Sequence, residues 1–171
     1  MLIILSGLPG VGKTTIAREL AAATGAVHLR IDSIEQVLRD AGVEVEGEGY
    51  SVARAVAEDN LRLGRTVIAD CVNPWTLTRQ QWQSVADRAG VRAIDVEIVC
   101  SDAGEHRRRV ESRVPDIAGH RVPTWPEVVA RDYRPWEGDR LVIDTARSDV
   151  AECVRRILSV LEGNDSQRRR T

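Results

Sequence analysis

The stretch Gly7-Leu8-Pro9-Gly10-Val11-Gly12-Lys13-Thr14 decides how the rest of this sequence is interpreted. It matches the P-loop (Walker A) pattern, in which two glycines, a lysine and a serine or threonine stand at a fixed spacing. An apolar run, residues 2–5, precedes it, and Ile16, Ala17 and Leu20 follow it at helical spacing. The pattern therefore predicts a buried strand, a glycine-rich turn and a helix whose free N–H groups face an anion.

This motif indicates binding of a nucleoside triphosphate. In such a loop the backbone amides hold phosphate oxygens, the lysine reaches the β- and γ-phosphates, and the hydroxyl of Thr14 ligates Mg²⁺. Lys13 is the only lysine among the 24 Lys and Arg residues, so an ammonium on a flexible stem is kept where phosphate chemistry uses it. We expect these residues to contact ATP: Gly7, Leu8, Pro9, Gly10, Val11, Gly12, Lys13, Thr14 and Thr15.

Composition is that of an ordinary globular protein. The 171 residues suit one domain, and 43% of them are apolar and 29% charged. No apolar run has the length of a membrane span, the N-terminus lacks the basic region of a signal peptide, and three widely spaced cysteines suit reduced thiols. We therefore expect a cytoplasmic protein that does not interact with membranes. The net charge of −2 gives no overall attraction to nucleic acid.

Strand-like and helix-like segments alternate along the chain, which predicts an α/β fold with βαβ units. We expect a three-layer α/β/α P-loop NTPase fold with a five-stranded, mainly parallel sheet and a helical lid. A single domain would span residues 1–162, with the lid at about 102–123. Residues 163–171 are polar and end in three arginines, so a disordered tail is predicted there.

Two carboxylates follow predicted strands and are candidates for chemistry. Asp32 comes after the second strand, where it could act on an acceptor group in the ligand crevice or cap the next helix. Asp70 ends the apolar run Thr66-Val67-Ile68-Ala69, as does the aspartate that holds Mg²⁺ in P-loop proteins. Beyond it, Asn73 and Trp75 could line an acceptor pocket.

The segment around His106-Arg107-Arg108-Arg109 is a second strong signal. Arg109 and Arg113 are four residues apart, so a helix through both would place them on one face. A link with glycine and proline follows and contains His120. A basic helix hinged to such a link can close arginines over transferring phosphates, whereas the alternative is a solvated basic face.

Taken together, these motifs resemble the small P-loop kinases related to nucleoside monophosphate kinases. Within them, the chain looks most like the group that contains chloramphenicol phosphotransferase, gluconate kinase, zeta toxins and polynucleotide 5′-kinase, often labelled AAA-domain ATPases. The resemblance covers about residues 1–161 and depends on the P-loop, Asp32, Asp70 and the Arg109/Arg113 pair. It implies that Asp32 is a general base for an acceptor hydroxyl and that the lid arginines clamp the phosphates.

The sequence thus predicts an ATP-dependent, Mg²⁺-assisted kinase that phosphorylates a hydroxyl of a small molecule. Catalysis would involve Lys13, Asp32, Arg109 and Arg113, and the metal would be held by Thr14 and Asp70. One alternative is a 5′-hydroxyl polynucleotide kinase, supported by the basic lid and the Arg168-Arg169-Arg170 tail but opposed by the acidic loop with Glu44, Glu46 and Glu48. Another is a P-loop ATPase or switch without a small-molecule acceptor.

Overall fold

The computed structural model of the chain describes residues 1–168, in which five strands alternate with seven helices. The strands are β1 (Leu2–Ser6), β2 (Val27–Arg30), β3 (Val67–Asp70), β4 (Ala93–Val99) and β5 (Leu141–Asp144). The helices are α1 (Lys13–Thr24), α2 (Ile31–Asp40), α3 (Glu48–Arg62), α4 (Thr76–Ala89), α5 (Ala103–Glu111), α6 (Trp125–Val129) and α7 (Val150–Arg168).

The strands form one parallel sheet in the order β2-β3-β1-β4-β5. The first strand lies at its centre, so the P-loop that follows it emerges in the middle of the carboxyl edge. The end of β2 pairs with the end of β3, with Arg30 opposite Asp70. The predicted α/β fold with a five-stranded parallel sheet is confirmed.

Helices cover both faces of the sheet, and the central strand packs into two separate cores. Ile3 and Leu5 lie in one core with residues of α1 and α7, and Leu2 and Ile4 lie in the other with residues of α3 and α4. All five residues of β1 are buried. This burial on both faces explains why the strand is a continuous apolar run rather than an alternating one.

Two segments differ from the sequence-based expectation. Helix α5 ends at Glu111, so Arg113 lies beyond the basic helix rather than within it. At the other end of the chain, α7 continues to Arg168, so residues 163–168 of the predicted disordered tail are helical here. The rest of that tail, 169–171, lies outside the described residues. None of the helices within 1–168 is long and apolar enough to cross a membrane.

Candidate active site

The P-loop presents an open helix N-terminus to the crevice at the carboxyl edge of the sheet. Gly12 is the N-cap of α1 and has a left-handed conformation, with φ of 100°. No side chain caps the helix, and its first turn has no acidic residue. The N–H groups and the positive end of the helix dipole are therefore available to an anion.

The backbone of this loop is fixed by close contacts with the rest of the fold. Gly7 has φ of 146°, and a Cβ there would lie 2.2 Å from the carbonyl oxygen of Ile98. The Nε2 of His106 on α5 lies 2.8 Å from the carbonyl oxygen of Pro9. On the other side, the hydroxyl of Thr145 donates to the carbonyl oxygen of Val11 at 2.9 Å. The loop is thus held in place by segments that precede and follow the last strand.

Lys13 and Asp70 lie together at the floor of the crevice. The Lys13 ammonium is buried and donates to the Leu8 carbonyl oxygen at 2.9 Å. Burial lowers the pKa of Lys13, and the charges of Asp70 and Asp32 act in the opposite direction. Burial acts to raise the pKa of Asp70, but a hydrogen bond with His28 and the charge of Lys13 outweigh it, so the pKa is lowered.

Asp70 and Thr14 offer the donor atoms that a hard cation prefers. Both side chains line the same crevice, and the Thr14 hydroxyl is one of the groups that lower the Asp70 pKa. Within residues 1–168 no cluster of three or more His, Cys, Asp or Glu side chains could hold a metal. A carboxylate and a hydroxyl beside a phosphate-binding loop nevertheless fit Mg²⁺, which takes few protein ligands and completes its shell with phosphates and water.

Asp32 lies on the opposite wall of the same crevice, in the first turn of α2. The N-cap of this helix is Arg30, so Asp32 is not the cap that the sequence left open as an alternative. Its side chain is 36% exposed, and Oδ2 lies 3.8 Å from Arg30, 3.9 Å from Arg113 and 4.0 Å from His120. These three separations are too long for hydrogen bonds, so the oxygens remain free to accept one from a ligand.

The two lid arginines occupy different parts of the site. Arg109, on α5, donates from Nη1 and Nη2 to the Thr145 hydroxyl and carbonyl oxygens at 2.8 and 3.1 Å. It therefore lies against the P-loop side of the crevice. Arg113 lies beyond the helix and points to Asp32. The expectation that both share one helix face is wrong, because α5 ends before Arg113.

A cleft of about 1700 Å³ joins these groups. Asp32, Asp70, Arg109 and Arg113 line it, so the fold brings together, with Lys13 and Thr14, every side chain that the sequence predicted as catalytic or metal-binding. Of the other residues expected to contact ATP, Pro9, Gly10, Gly12 and Thr15 also line the cleft, whereas Gly7, Leu8 and Val11 do not. Trp75 also lines the cleft and is 49% exposed.

Asn73 does not line the cleft wall. It is fully buried, and its amide nitrogen donates to the Ser6 hydroxyl at 3.0 Å. Two further tryptophans have structural contacts: Trp125 packs edge-on against His106, and Trp136 stacks on the Arg79 guanidinium at 4.0 Å.

Three contributors to the site carry no distinct signal in the sequence. His28 lies within β2 and reaches Asp70 only because that strand pairs with β3, with Nε2 to Oδ2 at 3.2 Å. His106 is one basic residue in a basic run, and its contact with the P-loop depends on how α5 packs. Asp116 accepts hydrogen bonds from Arg30, a contact between segments far apart in the sequence.

The fold and this crevice define a P-loop nucleotide-binding protein with the architecture of the small kinases. More particularly, the chain belongs to the AAA domain family, whose model matches residues 2–125. That range includes the P-loop, Asp32, Asp70 and the whole predicted lid.

Several relatives and solved structures of similar length are named as kinases. The chain is 24% identical to the "Probable adenylyl-sulfate kinase" of Aeropyrum pernix, over 95% of this chain and 92% of that protein. The Mycobacterium tuberculosis APS kinase in complex with AMPPNP and APS superposes with a TM-score of 0.70 at 18% identity, covering 94% of this chain and 96% of that one. A gluconokinase of Sinorhizobium meliloti superposes with a TM-score of 0.65 at 18% identity, covering 96% and 93%.

Proposed function

We propose that this protein is an ATP-dependent kinase that transfers the γ-phosphate to a hydroxyl group of a small molecule, with Mg²⁺. The observation that carries the proposal is the Asp32 carboxylate. It faces the P-loop crevice, caps no helix and keeps hydrogen-bonding capacity open beside the place where phosphates would bind. The kinases among the relatives support the reaction type, while their names include chemically different acceptors.

The P-loop half of the site would bind and orient the triphosphate. The open N-terminus of α1 supplies N–H donors and a favourable dipole for the phosphates. Lys13 exchanges its contact with the Leu8 carbonyl oxygen for the β- and γ-phosphate oxygens. Arg109, held by Thr145 on the same side, would lie along the nucleotide rather than over the transferred group.

Thr14 and Asp70 would hold Mg²⁺. The lowered pKa keeps the Asp70 carboxylate charged in its buried position, as a cation ligand requires. When bound, the ion supplies charge neutralisation for the β- and γ-phosphates. His28 donates to the same carboxylate and would fix its orientation.

The opposite wall would bind the acceptor. Asp32 accepts the hydrogen bond of the acceptor hydroxyl and orients its oxygen towards the γ-phosphorus. It takes the proton as the new bond to phosphorus forms and the bond from the γ-phosphorus to the β,γ-bridging oxygen breaks, so that ADP leaves. Arg113, at 3.9 Å from this carboxylate, lies where it can neutralise the transferring phosphoryl group. Phosphoryl transfer in a phosphate-binding crevice depends mainly on such positioning and on charge stabilisation.

A screen for phosphate transfer tests the proposal. The protein would be incubated with Mg²⁺, γ-labelled ATP and a panel of alcohols, amino alcohols, sugars, nucleosides and 5′-hydroxyl oligonucleotides. We expect label in a small hydroxylated acceptor. Asp32→Asn is the matched control because it keeps the side-chain size and removes the base, so the labelled product should fall with ATP binding unchanged.

The other outcomes identify the other functions. Label that appears only in inorganic phosphate, at a rate indifferent to every acceptor and to Asp32→Asn, would mean an ATPase or switch. Label that appears only in the oligonucleotides would mean a polynucleotide kinase. Either result would overturn the small-molecule proposal.

A further inference from the structure

The link between α5 and α6 carries two of the three basic side chains around Asp32, yet it has no regular structure of its own. Arg113 and His120 both lie in this link, residues 112–124, which we call the lid link. Val114 is 81% exposed and none of residues 112–124 is fully buried, so apolar burial contributes little to anchoring this part of the chain. Its position must come from specific contacts with other elements.

The strongest of these contacts is made by Asp116. Its carboxylate accepts from Arg30 in a two-pronged arrangement, Nη1 to Oδ2 at 2.8 Å and Nη2 to Oδ1 at 2.9 Å. Arg18 of α1 donates to Oδ2 at 2.5 Å. The Arg30 side chain is only 6% exposed, so this is a charge-assisted pair anchored in the body of the protein. Hydrogen bonding with Arg30 lowers the pKa of Asp116, which therefore stays ionised.

The anchor lies directly beside the proposed general base. Arg30 ends β2 and Asp32 lies in the first turn of α2, so both belong to the same strand–helix junction. On the lid link, Arg113 precedes Asp116 and His120 follows it. Their side chains lie 3.9 and 4.0 Å from Asp32 Oδ2. The His120 side chain is 13% exposed, and its Nδ1 is buried with no hydrogen-bond partner among the described residues. It is therefore held there by the packing of the link rather than by its own bonds.

The contact with Asp116 also bears on the position of the Arg30 guanidinium relative to Asp32. Arg30 Nη2 lies 3.8 Å from Asp32 Oδ2, a short shift from a direct ion pair. With both terminal nitrogens engaged by Asp116, the guanidinium is kept at that separation. Without the Asp116 charge, a buried cation would gain by pairing with Asp32, and that would occupy the oxygens proposed to receive the acceptor hydroxyl.

We propose that Asp116 is a positioning residue, which docks the lid link on Arg30 and thereby holds Arg113 and His120 beside a free Asp32. This inference rests on the proposed function for its catalytic consequence, but the docking itself is independent of it. Asp116 acts through Arg30.

Asp116→Asn tests the docking without any substrate. The change keeps the shape and removes the charge, so amide hydrogen exchange of residues 114–121 should become faster while the P-loop amides stay unchanged. The matched control is Glu111→Gln, which removes the exposed Arg107–Glu111 pair of the same lid and should leave exchange in the link unaltered. Unchanged exchange in Asp116→Asn would overturn the docking.

The positioning of His120 is tested by its ring NMR signals, again without substrate. In the wild-type background Asp32→Asn should shift the His120 ring resonances, because the two side chains are neighbours. In the Asp116→Asn background the same change should shift them far less. An equal response in both backgrounds would show that Asp116 does not position His120, and would refute the inference even if exchange is faster.

The catalytic consequence is a loss of turnover without a loss of nucleotide affinity. Because misplacement of about 1 Å can reduce rates by about 10²-fold, we expect kcat to fall at least about tenfold in Asp116→Asn with the KM for ATP nearly unchanged. Asp116→Glu keeps the charge but displaces it, so its kcat should lie between those of the wild type and Asp116→Asn. A normal kcat in Asp116→Asn would refute the positioning role, whereas absence of transfer in the wild type would contradict the proposed function and leave the two substrate-free tests decisive.

Discussion

The two walls of the crevice are built in different ways. The wall formed by the P-loop, which we call the nucleotide wall, is a single loop. Its backbone is fixed by glycine conformations and buried contacts, such as Gly7 against the Ile98 carbonyl oxygen. The opposite wall, which we propose binds the acceptor and call the acceptor wall, is assembled from side-chain ion pairs between distant segments, with Arg30 bonded to Asp116, 86 residues further on. A preformed backbone suits a ligand common to many kinases, whereas replaceable side chains suit an acceptor that differs from one kinase to the next.

The largest effect is expected on the nucleotide wall, from Lys13→Ala. Loss of the only ammonium at the phosphate site should abolish transfer and weaken ATP binding, because no other lysine or loop group replaces it. Titration of ATP by calorimetry measures the affinity, and a transfer assay measures the activity. Lys13 is buried, so thermal unfolding without nucleotide is the control for folding. Normal ATP affinity in a folded variant would contradict the assignment of this wall.

The second-largest effect is expected from Asp32→Asn, which should impair transfer to the acceptor but not the binding of ATP. Asp32→Asn should leave ATP affinity and thermal stability near the wild-type values, since Asp32 caps no helix. Transfer to the acceptor should fall at least about 10²-fold, the lower end of what a general base contributes. Steady-state kinetics with the acceptor from the screen would measure this. Transfer at the wild-type rate would show that Asp32 is not the base.

The two lid arginines offer a sharper test of the same division. Arg113→Gln, at the acceptor wall, should lower kcat at least about tenfold with little change in the KM for ATP. Arg109→Gln should instead raise the KM for ATP, because its partner Thr145 lies on the nucleotide wall. Separate determination of kcat and KM for each variant distinguishes these outcomes. If both substitutions change the same parameter to the same extent, the walls are not functionally distinct.

The smallest effect is expected in the lid link, from Gly119→Ala. Gly119 has φ of +74°, and a Cβ there would meet the flexible end of Gln36 at 3.1 Å. The left-handed conformation should cost about 1 kcal/mol, or a decrease of roughly 2–4 °C in Tm. Alanine at Gly7 would meet backbone at 2.2 Å and serves as the reference for a rigid site. Equal losses of Tm for the two variants would contradict the contrast between the walls.

The sequence by itself determined the nucleotide wall. The residues of a P-loop are contiguous, and a continuous apolar strand before it and helical spacing after it are local patterns. Strand burial, the glycine turn and the free helix N-terminus can therefore be predicted from residues that are adjacent in the chain. The same holds for the positions of Asp32 and Asp70, because parallel strands bring their carboxyl ends to one edge.

Only the tertiary structure decided which side chains surround Asp32 on the acceptor wall. Helix α5 ends at Glu111, Arg109 contacts Thr145, and Arg113 points to Asp32. These three features depend on which segments the fold brings together. His28 and Asp116 find their partners through strand order and lid packing, and neither leaves a periodic trace in the sequence. An ion pair between residues far apart in the chain has no local signature, because its free energy arises only when both charges reach the same place in the folded protein.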